Sequence, residues 1–566
     1  MPVADDNAKE LCRREERLFD KKANLDALNQ EIALNFRPQR ADFTVERALG
    51  EEFALDLMDS EPIRCCRELG DARAAMLRPG GREWFRAKLN DQQMNGDPAI
   101  KGLLDQMNEI ARTAIYDPST GFVRAEKEAD HDMVTFGNAV KSVETTIDRK
   151  GRRHMLERTW HQRDCAWLDD ETGVRQDFMA RRFKASARHI KKQFPKAELH
   201  SSIVRALDKT PDQEFKLCHV MMLAEEYEGY KDQHPKQPWV SLYYDSEHKM
   251  MLSERPSERF RYIVDRWETI PGSQYGYSPA AMTALPDGRG IQTMARVLLE
   301  AGEKALDPPL KASRKGITGE IRTGAAQITW IDGTGYDERV MGPAIEPLFP
   351  DGFKPALGID LINRTTLALR DTWYLTKLTL PTQAKTAYET AQLVEEFIRA
   401  NIPLFEPWEA GMAVLLDEIF AVLIEMHAFG HPLELARSPL SGRDLVFAFQ
   451  NPLQDAIEKN KVNQAQQALG IVAGAMQIDP NAAHAVDAVK IVRSAVQGTG
   501  APADWTPDED VTGQKIAAAQ QGAGIVNALN TAGQAADVVN TGAEAAAKLQ
   551  QVRQGANDGS GAYGPV

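Results

Sequence analysis

The chain has 566 residues, with 68 Lys plus Arg against 82 Asp plus Glu and a formal charge of −14 at pH 7. That length exceeds one ordinary hydrophobic core, so several domains, or one elongated body in layers, are expected. The acidic balance argues against a surface that grips nucleic acid everywhere by phosphate neutralisation, while leaving room for a local basic patch. The cysteines, Cys12, Cys65, Cys66, Cys165 and Cys218, are odd in number and form no CxxC pair, which speaks against a disulfide framework or a zinc site. The N-terminus is charged from the start and no run of about 18 apolar residues occurs, so a soluble protein of a reducing compartment without a membrane partner is expected.

In chain order, residues up to about 130 read as helical. Asn24–Asn35 puts Leu25, Leu28, Ile32 and Phe36 on one stripe before Arg37-Pro38, and a second helix fills Pro62–Leu77. The segment Leu77–Asp91 changes character, with a Gly80-Gly81 turn followed by Trp84, Phe85 and Leu89. From 134 to 267, VETTIDR, QDFMARRF, LCHVMMLAEEY and WVSLYYD are β-branched and aromatic runs between turns, so this region reads as α+β.

Gln274–Ser313 is the most informative stretch. Gly276, Ser278 and Pro279 make a turn, and capping signals at Pro286–Gly290 predict a helix start. Ile291, Met294, Ala295, Leu298, Ala301 and Ala305 then fall at helical spacing. Pro308 and Pro309 forbid continuation. The following Leu310–Gly358 is rich in Gly and Pro and holds two strand-like runs, GEIRT and AQITWID. Ile359–Leu378 returns to helix with Ile362, Thr366, Leu369 and Trp373 on one stripe. The pattern is helix, β-rich insertion, helix.

Thr379–Lys385 breaks this helix at Pro381, and a long amphipathic helix resumes near Thr386. LVFAF at 445–449 is strand-like. Helices rich in Ala, Gln and Val follow over Asp455–Met476 and Ala482–Gln497, joined by Gln477-Ile478-Asp479-Pro480. Thr506-Pro507-Asp508-Glu509 is a capping box that should start the last helix. In it Ile525, Leu529, Ala532, Ala536, Val539, Ala543, Ala546 and Leu549 hold one stripe. That stripe is too poor in large side chains for burial within a monomer, and it suits packing against copies of itself. The alternative is a frayed low-complexity tail, since Gly513, Gly522, Gly524, Gly533 and Gly542 each cost about 1 kcal/mol in a helix. Residues from Gly555 onward read as disordered.

Catalytic patterns are weak throughout. No GxxxxGK[ST] occurs, and GSGAYG at Gly559–Gly564 lies too close to the terminus to open a helix. Pro211, Asp212, Glu214 and Lys216 resemble a nuclease pattern, but their carboxylates are too close in sequence for two neighbouring strands, so an exposed turn is expected. His427 and His431 have the spacing of helix-borne metal ligands, yet Gly430 and Pro432 break that helix. Arg181, Arg182, Lys184, Arg188, Lys191 and Lys192 read as a solvated face. No catalytic, cofactor or metal residue is assigned.

Three short motifs in fixed order carry a resemblance. Tyr275, Gly276, Ser278 and Pro279 come first, then Ala284, Leu285, Pro286 and Asp287, then Asp307, Pro308, Pro309 and Leu310. With Cys165-Ala166-Trp167-Leu168-Asp169, Arg181-Arg182-Phe183 and the Gln-Ile-Asp-Pro joint, the chain resembles the head-to-tail connecting, or portal, proteins of short-tailed bacteriophages from roughly Leu25 to Gln521. The family's Thr-Ala-Thr-Glu signature is here Thr386, Ala387, Tyr388 and Glu389, so the Tyr departs from it.

The resemblance implies a predominantly helical α+β portal fold assembled as a ring of about 12 copies. Its parts would be a wing (1–285), a first stem helix (286–309), a clip (310–358) and a second stem helix (359–378). A tunnel loop, long helix and return through the wing (379–450), a crown (451–505), a barrel-type helix (506–553) and a disordered tail (554–566) would follow. It further implies a non-enzymatic virion component without cofactors, made in the host bacterial cytoplasm and placed at one capsid vertex. There it would nucleate head assembly, dock the terminase large subunit for packaging, pass double-stranded DNA without sequence specificity, and hold a tail adaptor protein. Major capsid and scaffolding proteins complete the expected partners. In such a ring Lys304, Lys311, Arg314 and Lys315 are DNA-channel candidates, and Thr379, Pro381, Thr382, Gln383 and Lys385 are tunnel-loop candidates. Intersubunit charge pairs, or helix capping by Lys304, are the competing roles for the basic group. A tail adaptor or collar protein is the alternative identity, against which the β-rich insertion between two helices speaks.

Overall fold

The computed structural model describes residues 5–378 apart from short segments, the largest of them within 313–354, and then 407–430, 444–449, 470–472 and 491. The chain divides into two units, Met1–Asn451 and Pro452–Val566. The architecture below belongs to the first, and 470–472 and 491 are the described part of the second. The expectations for Thr379–Lys385, the Thr386 signature, the Gln477–Pro480 joint, the Thr506 capping box and the last helix lie outside the described residues.

Helix α1 (Asp6–Phe36) is capped by Asp5, whose carboxylate accepts the Asn7 N–H at 3.0 Å. It starts well before the expected Asn24, because Ala8, Leu11, Cys12, Leu18 and Phe19 continue the buried stripe between charged residues. Lys22 is buried on the same stripe. Its Nζ donates to the carbonyls of Gln162 (2.6 Å), Arg163 (3.1 Å) and Cys165 (2.9 Å), so the ammonium replaces its lost hydration with fixed dipoles. Next come α2 (Glu61–Leu77), β1 (Phe85–Leu89), α3 (Pro98–Ile115) and α4 (Phe122–Phe136).

The strand-rich region holds β2 (Asn138–Ile147), β3 (Arg153–Trp160), β4 (Cys165–Asp169), β5 (Gln176–Ser186), α5 (Ala187–Gln193), α6 (Ser201–Lys209), β6 (Glu214–Leu223), β7 (Trp239–Asp245), β8 (Met250–Ser257) and β9 (Tyr262–Arg266). β4 to β8 form an antiparallel sheet in sequence order, and β3-β2-β9 form a second. One face of the larger sheet, with Phe178, Ala180, Val220, Leu242 and Tyr244, shares a core with the start of α1. The opposite face sends Trp167, Met179 and Met221 against Val140 and Tyr262 of the smaller sheet. The fold is therefore mixed α+β.

After β9 come α7 (Leu285–Leu306), β10 (Leu310–Ala312), α8 (Glu338–Met341), β11 (Ile345–Pro347), α9 (Pro355–Thr372) and α10 (Leu375–Leu378). A further helix α11 covers 407–425, and β12 (Leu445–Phe449) follows. β12 pairs antiparallel with β1, so LVFAF returns to the Trp84-Phe85 segment. Trp408 on α11 packs between them, with ring centroids 6.0 Å from Trp84 and 5.3 Å from Phe449.

The helix around Pro286 does not start where its capping signals predict. A π-helical turn over Ala280–Ala284 leads straight into α7, and the Leu285 N–H bonds the Ala280 carbonyl. Proline supplies no N–H for the Met282 carbonyl, and the wider turn just before it absorbs that missing bond. The true start is Ser278, whose Oγ accepts the Ala281 N–H at 3.2 Å and donates to the Thr135 carbonyl at 2.7 Å. The second helix also differs from expectation. It begins at Pro355 and is interrupted at Tyr374, whose φ of 59° leaves the helical region, before α10.

A network of buried charges ties the helices to the smaller sheet. Arg78 pairs with Glu126 (2.9 Å) and Asp130, Arg73 approaches Asp130 (3.5 Å), and Lys141 bridges Glu126 and Asp265 (both 2.8 Å). These residues come from α2 and its C-terminal cap, α4, β2 and β9. Just before β9, Arg259 holds α11 through Glu418 (2.8 Å) and Glu425 (2.7 Å).

Candidate functional site

The Tyr-Gly-x-Ser-Pro turn is built by a crossing of two backbones. Asn138 Oδ1 accepts the Gly276 N–H at 2.7 Å, and its Nδ2 donates to the Gly276 carbonyl at 2.9 Å. A Cβ on Gly276 would lie 2.6 Å from the Gly137 carbonyl oxygen. Gly137 has a φ of +81°, where side chains are strained, and a Cβ on it would lie 2.5 Å from the Tyr277 carbonyl carbon. Both glycines are needed for the approach. Next to them, Tyr275 packs on Trp167 with centroids 4.3 Å apart, and Gln274 and Trp167 exchange bonds of 2.8 and 3.2 Å. Two motifs far apart in sequence, at 165–169 and 275–279, are thus one structural joint.

That joint aims α7 out of the body. At its base, Ala284 and Leu285 share a buried cluster with Phe36, Cys66, Met133, Trp267, Leu369 and Trp373. Gln292 clamps the α2 approach, accepting the Met58 (2.7 Å) and Asp59 (2.9 Å) N–H groups and donating to the Asp59 carbonyl (2.6 Å). Arg370 of α9 pairs with Glu61 at 2.6 Å. Farther out, Leu298 meets Gly358. The start of α7 is therefore beside the end of α9, and its later turns are beside the start of α9: an antiparallel two-helix column.

The seam of this column takes Ile291, Ala295 and Leu298 from α7 and Ile362 and Leu369 from α9, which the stripes predict, and also Gly358, which the sequence reading left in the preceding insertion. What charge-based reading missed lies on its flanks. Val297 and Leu299 stand about 100° to either side of Leu298, and Leu357 and Ile359 do the same about Gly358. They are 59%, 56%, 68% and 47% exposed. Leu361 and Leu367 are exposed as well. The signal available in the sequence was apolar residues adjacent to the stripe rather than on it.

Beyond the column, β10 and β11 form an antiparallel ribbon with Lys311 opposite Glu346, and their side chains pair at 2.5 Å. Lys304 is exposed in the last turn of α7, and among the described residues it has no ion-pair partner. Among the described residues Lys304 and Lys311 therefore differ: one is an exposed cation at a helix C-terminus, the other is matched by a carboxylate. Arg314 and Lys315, Pro308 and Pro309, the GEIRT run after Ile321, most of AQITWID, and all of Thr379, Pro381, Thr382, Gln383 and Lys385 lie outside the described residues.

The other sequence signals resolve as structure. The basic run is dispersed: Arg181 is buried over Trp160 (3.8 Å) and donates to Tyr262 (2.9 Å), Arg182 pairs with Glu15 (2.5 Å), Lys184 with Glu46 (2.9 Å) and Arg188 with Asp212 (3.3 Å). Pro211 and Asp212 form a turn before β6. His427 sits past the end of α11 with φ 61°, and His431 lies outside the described residues. All five cysteines are free and buried, and burial pushes thiols such as Cys66 up to about 11, so they are inert. Among the described residues no cluster with metal-ligand geometry occurs, and no helix is long and apolar enough to cross a membrane.

The profile of a family described as bacteriophage head to tail connecting protein matches residues 8–506. Over 530 residues the chain is 23% identical to a probable portal protein of Bordetella phage BPP-1, covering 92% of each. A chain from the neck of a native GTA particle, computed with C12 symmetry, aligns over 72% of this chain and 86% of its own length, at 11% identity and a TM-score of 0.34. The family match takes in the 165–183 and 275–310 motifs, so the chain belongs to the bacteriophage head to tail connecting proteins, the phage portal family.

Proposed function

We propose that about 12 copies of this chain close into a ring around a channel for double-stranded DNA at one capsid vertex. The observation that carries this reading is the column of α7 and α9, which bears exposed apolar residues on both flanks of its seam. A closed ring gives every column two neighbours, one for each flank, and burying a Val or Leu there contributes about 1.5–3 kcal/mol.

In this reading residues 1–285 are the wing, 286–309 and 359–378 the stem, and 310–358 the clip. Residues 379–450 contribute the tunnel loop, 451–505 the crown and 506–553 a barrel helix, ahead of the tail at 554–566. The ring nucleates head assembly with major capsid and scaffolding proteins, and the clip docks the terminase large subunit during packaging and later the tail adaptor. DNA slides without sequence specificity because a net acidic chain presents only sparse rings of cations to the phosphates. Lys304 is the first of these rings, and Lys311 is muted by Glu346, while Arg314 and Lys315 are carried in this reading as further channel cations. The chain makes and breaks no bond in packaging or ejection.

Negative-stain microscopy of the purified chain tests this directly. Rings with a central hole are expected. A monodisperse monomer under assembly conditions would overturn the proposal, and loss of terminase capture on removing 310–358 from intact rings would separate the clip's role from assembly.

A further inference from the structure

The face of the larger sheet turned away from the start of α1 carries a small polar cavity of about 150 Å³. It is built from cross-strand neighbours, with Ser241 of β7 opposite Arg255 of β8 and Tyr243 opposite Ser253. Strand alternation puts these four on one face. Leu242 turns the other way into the α1 core, and Glu254 accepts the Tyr227 hydroxyl there at 2.8 Å. Gln193 and Phe194 at the end of α5, and Arg261 just before β9, also line the cavity. Phe194 packs on Tyr243 with centroids 5.1 Å apart.

The hydrogen bonds behind the cavity have one order that leaves no buried proton without an acceptor. Arg181 Nε can only donate, so the Tyr262 oxygen accepts it at 2.9 Å. Tyr262 is 3% exposed, and among the described residues its own proton has one acceptor, His219 Nδ1 at 2.7 Å. Burial, with the charges of Arg181 and Arg261, holds His219 well below its ordinary value, so the ring is neutral. A neutral ring that accepts at Nδ1 carries its proton on Nε2, and it donates that proton to Ser241 Oγ at 2.9 Å. On its protein side Ser241 is therefore an acceptor, and its own proton is left for the cavity.

Charge points the same way. No carboxylate lines the cavity, in a chain of net charge −14, and Glu144, whose charge reaches Tyr243, stands outside the lining. Arg259 is paired with Glu418 and Glu425, whereas Arg255 and Arg261 have no ion-pair partner among the described residues. Ser257 commits its hydroxyl to the Arg259 carbonyl at 2.8 Å, but the hydroxyls of Tyr243 and Ser253 make no hydrogen bond among the described residues. Unused donors beside two cations, in a confined space, select a compact anion. A cavity of this size holds benzene, so a tetrahedral phosphate fits, while the backbone of a duplex is too bulky to enter. We propose that Arg255, Arg261 and Ser241 bind a phosphoryl group in this cavity, as inorganic phosphate or as the terminal phosphate of a small monoester.

Titration calorimetry of the full chain with sodium phosphate, against sodium chloride at matched ionic strength, tests this. One phosphate per chain is expected. Arg255→Gln and Arg261→Gln should each weaken binding by roughly ten- to a hundredfold, the scale of a charge-assisted hydrogen bond, and Ser241→Ala by up to about tenfold. Arg188→Gln removes the same charge from an exposed position on α5 and should leave the affinity unchanged. Ribose 5-phosphate binding as tightly as phosphate would assign the site to monoesters, and its exclusion would assign the site to free phosphate. Heat no greater than that of chloride, equal weakening by Arg188→Gln, or displacement of phosphate by a short DNA duplex would overturn the proposal. Should Arg261→Gln fail to fold, the exposed Arg255→Gln decides the matter.

Discussion

Leu298 lies so close to Gly358 that a Cβ added to the glycine would sit 3.0 Å from the leucine Cδ1. This closeness lets α7 approach the first turn of α9 in the outer part of the column, yet the atom in the way is the end of a flexible, half-buried side chain. A shift of a few tenths of an ångström relieves it. Alanine in place of a helical glycine gains up to about 0.8–1 kcal/mol of helix propensity, and less in a first turn such as this one. Gly358→Ala is therefore expected to be neutral or mildly stabilising in a thermal unfolding scan.

The same replacement at Gly288 should have the opposite sign. There a Cβ would sit 2.8 Å from Phe36 Cζ. Phe36 is 1% exposed and held by Trp373, with centroids 5.2 Å apart, so it has nowhere to move. Overpacking of this kind costs about 1–3 kcal/mol, more than the propensity gain. Gly288→Ala should lower the unfolding midpoint, and a midpoint equal to that of Gly358→Ala would contradict the argument.

These two glycines also show which parts of the fold were legible. The seam residues Ile291, Leu298, Ile362, Leu369 and Trp373 follow from periodicity, since a helix buries one stripe. The strand-like runs at 217–223 and 239–245 fall in β6 and β7 for the same kind of reason. The helix start at Ser278 was hidden because Pro286 is usually a first-turn residue, and only the π-helical turn allows it further in. The first turns of α1 were hidden by charge, because nothing local announces that Lys22 will find three carbonyls from 162–165. Tertiary partners, invisible in a window of sequence, also separate Lys304 from Lys311 and bring Arg261 to the cavity that Ser241 lines.

The buried charges make stability depend on pH in a readable way. Burial opposes ionisation of Glu126, but Lys141 and Arg78 outweigh it and hold its carboxyl down to about 2. Burial and the nearby Glu126 charge push Glu157 well above the ordinary carboxylate range. A carboxyl whose value is raised on folding favours the folded state most below its unfolded value of about 4.3, and that contribution is lost as pH rises toward the folded value. Gln in place of Glu157 mimics the protonated form and removes this slope. The midpoint of Glu157→Gln relative to the parent protein should therefore rise as the pH is raised above the unfolded value of about 4.3. A difference that stays flat, or falls, would show that Glu157 is not the strained carboxyl.

The two lysines should separate in DNA binding. For each phosphate that a cation no longer neutralises, the slope of log affinity against log salt falls by about 0.9. Lys304→Ala in assembled rings should reduce both affinity and slope, since it is exposed at the helix end with no ion-pair partner among the described residues. Lys311→Ala should also weaken binding, but with a smaller change of slope, because the ammonium it removes is already shared with Glu346. Titrations of a short duplex at several salt concentrations would rank the two.

The flanks of the column should control assembly without controlling the fold of one copy. Val297 is 59% exposed and Leu367 61% exposed in the single chain, so a carboxylate at either position meets water in the monomer and costs little. In a ring each would be pressed against a neighbour, forfeiting about 1.5–3 kcal/mol of burial and adding an unpaired charge that must be desolvated. Every interface repeats that penalty, so closure should fail well before folding does. Val297→Asp and Leu367→Asp are expected to keep the parent's circular dichroism while sedimenting as monomers at concentrations where the parent forms rings. If both variants assembled normally, the flanks would not be the surfaces through which copies meet, and the ring would have to be held by other contacts.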